Sequence, residues 1–234
     1  MIIIGITGNI GTGKSTVSKY LQKHHHLELI DADEIVQEIW TPHSGTYKKI
    51  VQTFQPFVGK DVEVSKESVG NLIFEQPDKR ALLNRITHGV ILRTIAYRLF
   101  LAWLSGAEYI LLDAPLLYET GLARICSVVI VVSVDESIQF SRLQARDGHL
   151  SDAAIRGRMA AQWPLAKKAA LANIVLNNNG TLESLQAQLS APTFFPLLRK
   201  SVVFYKAIPS RFFVTSFIFV PIISILAYYY YFWK

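Results

Sequence analysis

Residues 5–16 read GITGNIGTGKST, and Gly8, Gly13, Lys14 and Ser15 fill the spacing G-x-x-x-x-G-K-[ST] without substitution. Such a run constrains the fold because it works only between a strand and a helix. The glycines let the backbone turn its N–H groups toward one point, and the following helix N-terminus adds partial positive charge there. The flanks match: MIIIGIT is a short β-branched run suited to a buried strand, and STVSKYLQK carries Val17 and Leu21 at helical spacing. The whole stretch from Gly8 through Asn9, Ile10, Gly11, Thr12 and Gly13 to Lys14, Ser15 and Thr16 is therefore expected to cradle the phosphates of a nucleotide. Lys14 would reach the β- and γ-phosphates, and the Ser15 hydroxyl would sit on Mg²⁺.

The rest of the chain alternates in kind. LELIDA at 27–32, YILLDAP from Tyr109, SVVIVVSV from Ser127 and IVL at 174–176 read as further strands. Helices are expected over 33–40 and 136–146, from Ser151 to about Ala161, from Pro164, and from Thr181 toward Leu189. Five short strands separated by helices predict a three-layer α/β domain with a parallel sheet. Residues 45–104 look helical, interrupted near Pro56, Gly59 and Pro77, and read as an insertion between strands.

Charge separates this body from a tail. The chain has 24 basic and 18 acidic side chains, yet Arg199, Lys200, Lys206, Arg211 and Lys234 all follow Glu183, the last acidic residue. Without those five the balance is nearly even, so the high pI gives little support for a nucleic-acid partner. Residues 191–211 read as a basic linker. Residues 212–233, FFVTSFIFVPIISILAYYYYFW, carry no charge and at about 1.5 Å per residue are long enough for a bilayer core. They are expected to form a single transmembrane helix with Tyr228–Tyr231 and Trp233 at one interface, and Lys206 and Arg211 would keep the body on the cytoplasmic side. Whether that membrane is the endoplasmic reticulum or the outer mitochondrial membrane is left open. The single cysteine, Cys126, excludes an internal disulfide framework and fits a reducing compartment. His24, His25 and His26 are expected at a polar helix end, not around a metal.

Asp31, Asp33 and Asp113 fall at strand ends, where a parallel sheet places its ligands. Phosphoryl transfer needs a carboxylate that orients the acceptor hydroxyl and cations that neutralise phosphate, so Asp33 is the candidate for the first role. Asp113, closing ILLD, resembles a Walker-B-type carboxylate, which would contact Mg²⁺ directly or through water. Arg142 and Arg146 stand four apart in SRLQARD and share a helix face, as a phosphate-binding lid over about 142–163 requires. A solvated face paired with Asp147 is the plainer alternative, and Arg156 and Arg158 nearby favour the lid. Loss of Lys14 or Asp33 is expected to damage turnover far more than stability.

GITGNIGTGKSTV, IDADEI, ITHGVI, LLDAPLLYE, QFSRLQARD, MAAQW and ANIVLNNNGT occur in the order found in dephospho-CoA kinases, and the chain resembles that family over roughly residues 1–190. The resemblance implies a P-loop nucleotide kinase fold with a helical substrate-binding insertion and a lid. It also implies ATP- and Mg²⁺-dependent transfer of the γ-phosphoryl group to the ribose 3′-hydroxyl of dephospho-CoA. Carried over by position, Lys14, Asp33 and Arg142 would be catalytic; Asp33, His88 and Asp113 would meet the acceptor; Arg142, Arg146 and Asn178 would hold the nucleotide; Ser15 and Asp113 would meet the metal. The chain departs from the family at Gly89 after His88, at Tyr118 and at Asn173, where a charge is missing near the predicted nucleotide end. Another small-molecule or nucleotide kinase of the same fold remains a rival reading, and so does a catalytically silent membrane scaffold. Association with other enzymes of coenzyme A synthesis is a further expectation.

Overall fold

The computed structural model describes residues 1–191, apart from 26 and 60, together with residue 194. The strands β1 (Ile2–Thr7), β2 (Glu28–Asp31), β3 (Tyr109–Asp113), β4 (Val128–Ser133) and β5 (Ile174–Asn177) form a parallel sheet in the order β2-β3-β1-β4-β5. β1, β3 and β4 are nearly continuous apolar runs because both faces of a parallel sheet are covered by helices. Register aligns Ile6 of β1 with Asp113 of β3, and Asp113 with Asp31 of β2. The three strands therefore finish side by side, at the carboxyl end where a parallel sheet places its ligands.

In chain order α1 (Lys14–His25) follows β1, and α2 (Ala32–Ile39), α3 (Gly45–Val58), α4 (Lys66–Glu75) and α5 (Pro77–Leu104) lie between β2 and β3. A 3₁₀ turn covers Leu122–Ile125 before β4. α6 (Glu136–Arg146), α7 (Asp152–Ala160) and α8 (Leu165–Ala170) separate β4 from β5, and α9 (Leu182–Ser190) follows. The chain divides into two compact units, one of Met1–Asp31 with the described residues from Leu101 onward, the other Ala32–Phe100.

In the sheet unit, Val17 and Leu21 of α1 and Leu185 and Leu189 of α9 pack with Ile4, Ile6, Val128 and Ile130 of the central strands, and Phe194 completes that core. In the helical unit, Ile35 and Ile39 bury one face of α2, while Glu34 and Glu38 on another face meet Arg98 of α5. α2 thus belongs with the helices, and the helical unit begins earlier than the expected range of 45–104. Ser44 caps α3 and a reciprocal Ser65–Ser68 box caps α4, while Pro77 opens α5 where a missing N–H is harmless. The expected interruption near Pro56 and Gly59 is where α3 ends, although Pro56 itself is still helical. It falls in the last turn, and the helix ends at Val58 with Gly59 at φ 104° as its cap. Among the described residues no helix is long and apolar enough to cross a membrane, and the expected span at 212–233 lies outside them.

Gly5 explains itself by contact. A Cβ there would lie 2.7 Å from Cys126 Sγ and 2.8 Å from Leu117 Cδ2, so Gly5→Ala is expected to destabilise by about 1–3 kcal/mol through overpacking. Gly89, inside α5, has nothing within 4 Å of such a carbon, and Gly89→Ala is expected to stabilise by roughly 0.5–1 kcal/mol. Denaturant melts of the two variants check both signs.

Candidate active site

The phosphate loop leaves β1 at Thr7 and enters α1 at Lys14. Gly11 and Gly13 have φ of 79° and 88°, which a side chain makes costly. Crowding adds to the requirement at two positions: a Cβ on Gly13 would lie 2.3 Å from Asn178 Nδ2, and one on Gly8 would lie 2.6 Å from Thr12 Oγ1. The loop closes on itself where the Thr12 hydroxyl donates to Asn9 O at 2.9 Å. Groups distant in sequence fix the remainder. Asn178 Nδ2 donates to Thr12 O at 2.7 Å, Gln139 Nε2 donates to Ile10 O at 2.6 Å, and Ile10 N donates to Gln162 Oε1 at 2.8 Å. Ser15 and Thr16 stand exposed in the first turn of α1, where orphan N–H groups and the helix dipole favour an anion.

Beneath the loop lies a buried ion pair. Lys14 Nζ meets Asp113 Oδ1, with the two side chains 8% and 1% exposed. The Ser18 hydroxyl, one turn along α1, bonds the other carboxylate oxygen and also Lys14 O. Burial pushes the Asp113 carboxyl above its ordinary range, against the pull of Lys14 and Ser18, and Asp31 on the neighbouring strand pushes the same way. Sequence reasoning missed Ser18. Its signal is a hydroxyl on the buried Lys14–Val17–Ser18–Leu21 stripe of α1, a face that should otherwise be apolar.

The arginines take different positions. Arg142 is half-buried and donates from Nη2 to Asn178 O at 2.9 Å, which links α6 to the segment after β5. Arg146 is exposed and grips Asp147 through Nε and Nη2 at 2.9 and 2.8 Å, with Arg158 Nη1 at 3.7 Å from the same carboxylate. The plainer reading of Arg146 thus describes its present partner, while Arg142 already belongs to the loop's surroundings. Asn178 turns out to be part of the loop's scaffold. Asn173 lies at the opposite end of the sheet from the loop, where its Oδ1 accepts from Val129 N at 2.8 Å and its N–H donates to Val129 O. The expectation that this position bears on the nucleotide is corrected: an amide suffices because its task is to pair with the start of β4.

In the helical unit, Asp33 stands exposed in the first turn of α2. His88 is half-buried midway along α5, and burial pulls its pKa below the ordinary histidine value. Among the described residues no group of three or more His, Cys, Asp or Glu forms a metal cluster, and His24 and His25 occupy the last turn of α1.

A glycine-built anion loop at the end of a central parallel strand, with a lysine held under it and arginines on a following helix, defines a P-loop kinase. The comparisons identify which kind. The profile described as Dephospho-CoA kinase matches residues 2–184. A dephospho-CoA kinase of Carboxydothermus hydrogenoformans is 38% identical over 188 residues, covering 80% of this chain and 90% of its own. The Arabidopsis thaliana dephospho-CoA kinase is 36% identical over 189 residues, 80% of this chain and 81% of its own. A crystallised Thermus thermophilus protein superposes with a TM-score of 0.66 at 30% identity, covering 81% of this chain and 95% of that one. The Campylobacter jejuni dephospho-CoA kinase shares the fold at a TM-score of 0.56 and 22% identity, covering 78% and 90% of the two chains. The chain belongs to the dephospho-CoA kinase family.

The buried pair revises what losing Lys14 would do. Removing the ammonium strands a buried carboxylate, so Lys14→Met is expected to cost about 3–5 kcal/mol at neutral pH as well as turnover. Because burial has raised the Asp113 pKa, ionising that group opposes folding, and the penalty falls as acidification protonates it. Denaturant melts at neutral pH and at progressively lower pH should show the gap between Lys14→Met and the parent narrowing.

Proposed function

We propose that this chain transfers the γ-phosphoryl group of ATP to the ribose 3′-hydroxyl of dephospho-CoA, giving coenzyme A and ADP. The observation that carries the reading is the pre-set loop over the buried Lys14–Asp113 pair, in a chain whose family profile covers residues 2–184. The backbone N–H groups from Gly8 to Ser15 and Thr16 would hold the β- and γ-phosphates, and Lys14 would face the γ-phosphoryl oxygens from below. Asp33, exposed at the start of α2, would accept a hydrogen bond from the 3′-hydroxyl and take its proton as the oxygen attacks phosphorus. The bond from phosphorus to the β–γ bridging oxygen breaks, and ADP keeps that electron pair. Arg142 and Arg146 would neutralise charge on the transferring group, Arg146 by exchanging Asp147 for phosphate. Asn178 would support the nucleotide through the loop, and His88 would contact the acceptor from α5.

Mg²⁺ fits the exposed Ser15 hydroxyl, because this ion takes most of its ligands from phosphate and water. Of the two routes to the metal expected for Asp113, direct or through water, the second suits its position better. The residue is fully buried, and Lys14 and Ser18 occupy its two oxygens, so its part is to aim Lys14. When bound, the ion would neutralise charge shared between the β- and γ-phosphates.

We also propose that residues 212–233, outside the described residues, anchor the kinase to a membrane with its catalytic body on the cytoplasmic side. The support is an uncharged run of spanning length, preceded by Lys206 and Arg211 and lying beyond the family profile. A fluorescent protein joined to residues 197–234 is expected on membranes. A diffuse cytosolic signal would remove the anchor.

Asp33→Asn is expected to lower kcat by about 10²–10⁴-fold with dephospho-CoA while leaving the melting temperature near the parent's. Ordinary turnover in that variant would strip Asp33 of its role. A panel of nucleosides, nucleotides and dephospho-CoA, with product position read by mass spectrometry, separates this enzyme from other kinases of the fold: 3′-phosphorylation is expected with dephospho-CoA alone. ATP binding without consumption on any acceptor would favour the silent scaffold.

A further inference from the structure

A second ion pair, its lysine fully buried and its glutamate 16% exposed, braces the phosphate loop, and no step of the transfer uses it. Lys168 of α8 has a side chain 0% exposed, a rare place for lysine. Its Nζ lies 2.8 Å from Glu119 Oε1 and donates to Pro115 O, also at 2.8 Å. Both acceptors serve a second donor. Glu119 Oε1 receives Trp163 N at 3.1 Å, and Pro115 O receives the Thr7 hydroxyl at 3.0 Å. The segment entering α8 then reaches the loop directly: Trp163 O accepts from Asn9 Nδ2 at 3.0 Å, and Gln162 Oε1 accepts from Ile10 N at 2.8 Å. One ammonium group therefore ties the strand end that carries Asp113 to the stretch that follows α7, and each of these touches the phosphate loop.

An ion pair taken this far from water contributes little net stability, but it allows few geometries. Lys168 would be a wasteful way to hold a helix and is an effective way to hold two segments in fixed relation. The Gln162–Trp163 stretch is the carboxyl-side root of α7, one of the two segments that attach that helix. The Tyr118 ring lies parallel to the Trp163 ring with centroids 6.5 Å apart, and Lys167 Nζ sits 3.6 Å from the Trp163 centroid, which seat the same root from other sides. We propose that Lys168, acting through Glu119, is a positioning residue for phosphoryl transfer. It locks the root of α7 to the segment after Asp113 and thereby sets the Asn9–Ile10 corner of the loop for the β- and γ-phosphates. The inference rests on ATP being the ligand of that loop.

The test uses the full chain and two variants, Glu119→Gln, which keeps the shape and removes the charge, and Lys168→Met/Glu119→Gln, which removes both charges. ATP and dephospho-CoA are varied separately, and melting temperatures are recorded. A positioning role predicts that KM for ATP rises and kcat falls, each by about tenfold or more, while KM for dephospho-CoA stays within about twofold. A double variant that melts like the parent and keeps both ATP constants within about twofold overturns the proposal. Hydrogen exchange on the unmutated protein gives a second reading that does not depend on the variants folding. With a non-hydrolysable ATP analogue, the amides of Ile10 and Trp163 should gain protection together, and protection of Ile10 with Trp163 unchanged overturns the coupling. If the parent binds the analogue but phosphorylates no dephospho-CoA, the functional reading fails while the exchange result still decides this one.

Discussion

The structure of the sheet unit depends on one contact, the ammonium of Lys14 against the carboxylate of Asp113. Neither charge is tolerable alone at that depth, since an isolated buried ion costs far more than a hydrogen bond returns. The lysine opens α1, immediately after the loop, and the aspartate closes β3, in register with Ile6 on β1. Strand register, the start of α1 and the height of the loop above the sheet are thereby set together. Ser18 completes the arrangement from the next turn of the helix, so that both carboxylate oxygens are bonded. A pair of this kind adds little to stability. Its effect is to leave the loop with one position relative to the strands, which a site that stabilises a charged transition state requires.

The local part of this design was legible in the sequence because its signals are local. The glycine spacing, the apolar runs of β1, β3 and β4, and the helix starts at Ser151, Pro164 and Thr181 each rest on residues a few positions apart. The groups that hold the loop do not. Asn178 bonds Thr12 across 166 positions, Asn9 bonds the Trp163 carbonyl across 154, and Gln139 bonds Ile10 across 129, and no periodicity marks such pairs. A lone glutamine on a helix reads as solvated until the sheet brings a carbonyl to it. Asn173 failed for a related reason: lying close in sequence to Asn178 suggested the nucleotide end, but the strand β5 between them carries the chain from one end of the sheet to the other. The placement of α2 with the helical unit was hidden too, since its partner Arg98 lies far along α5.

The arginine pair illustrates how burial sorts residues that a motif treats alike. Arg142 and Arg146 share one face of α6, yet Arg142 is half-buried against the Asn178 carbonyl and Arg146 is exposed beside Asp147. Arg146 is the exposed partner of a two-pronged contact with a largely buried Asp147, so water reaches the guanidinium and screens the pair. A polyphosphate offers more charge and the same planar match to a guanidinium, so in the proposed transfer the exchange would run toward the nucleotide. Arg142 has less freedom, and its geometry follows that of the segment after β5. On the proposed transfer one arginine would thus be preset and the other captured, and a lid built this way would cost little to open, because the contact reformed on opening is one that water reaches.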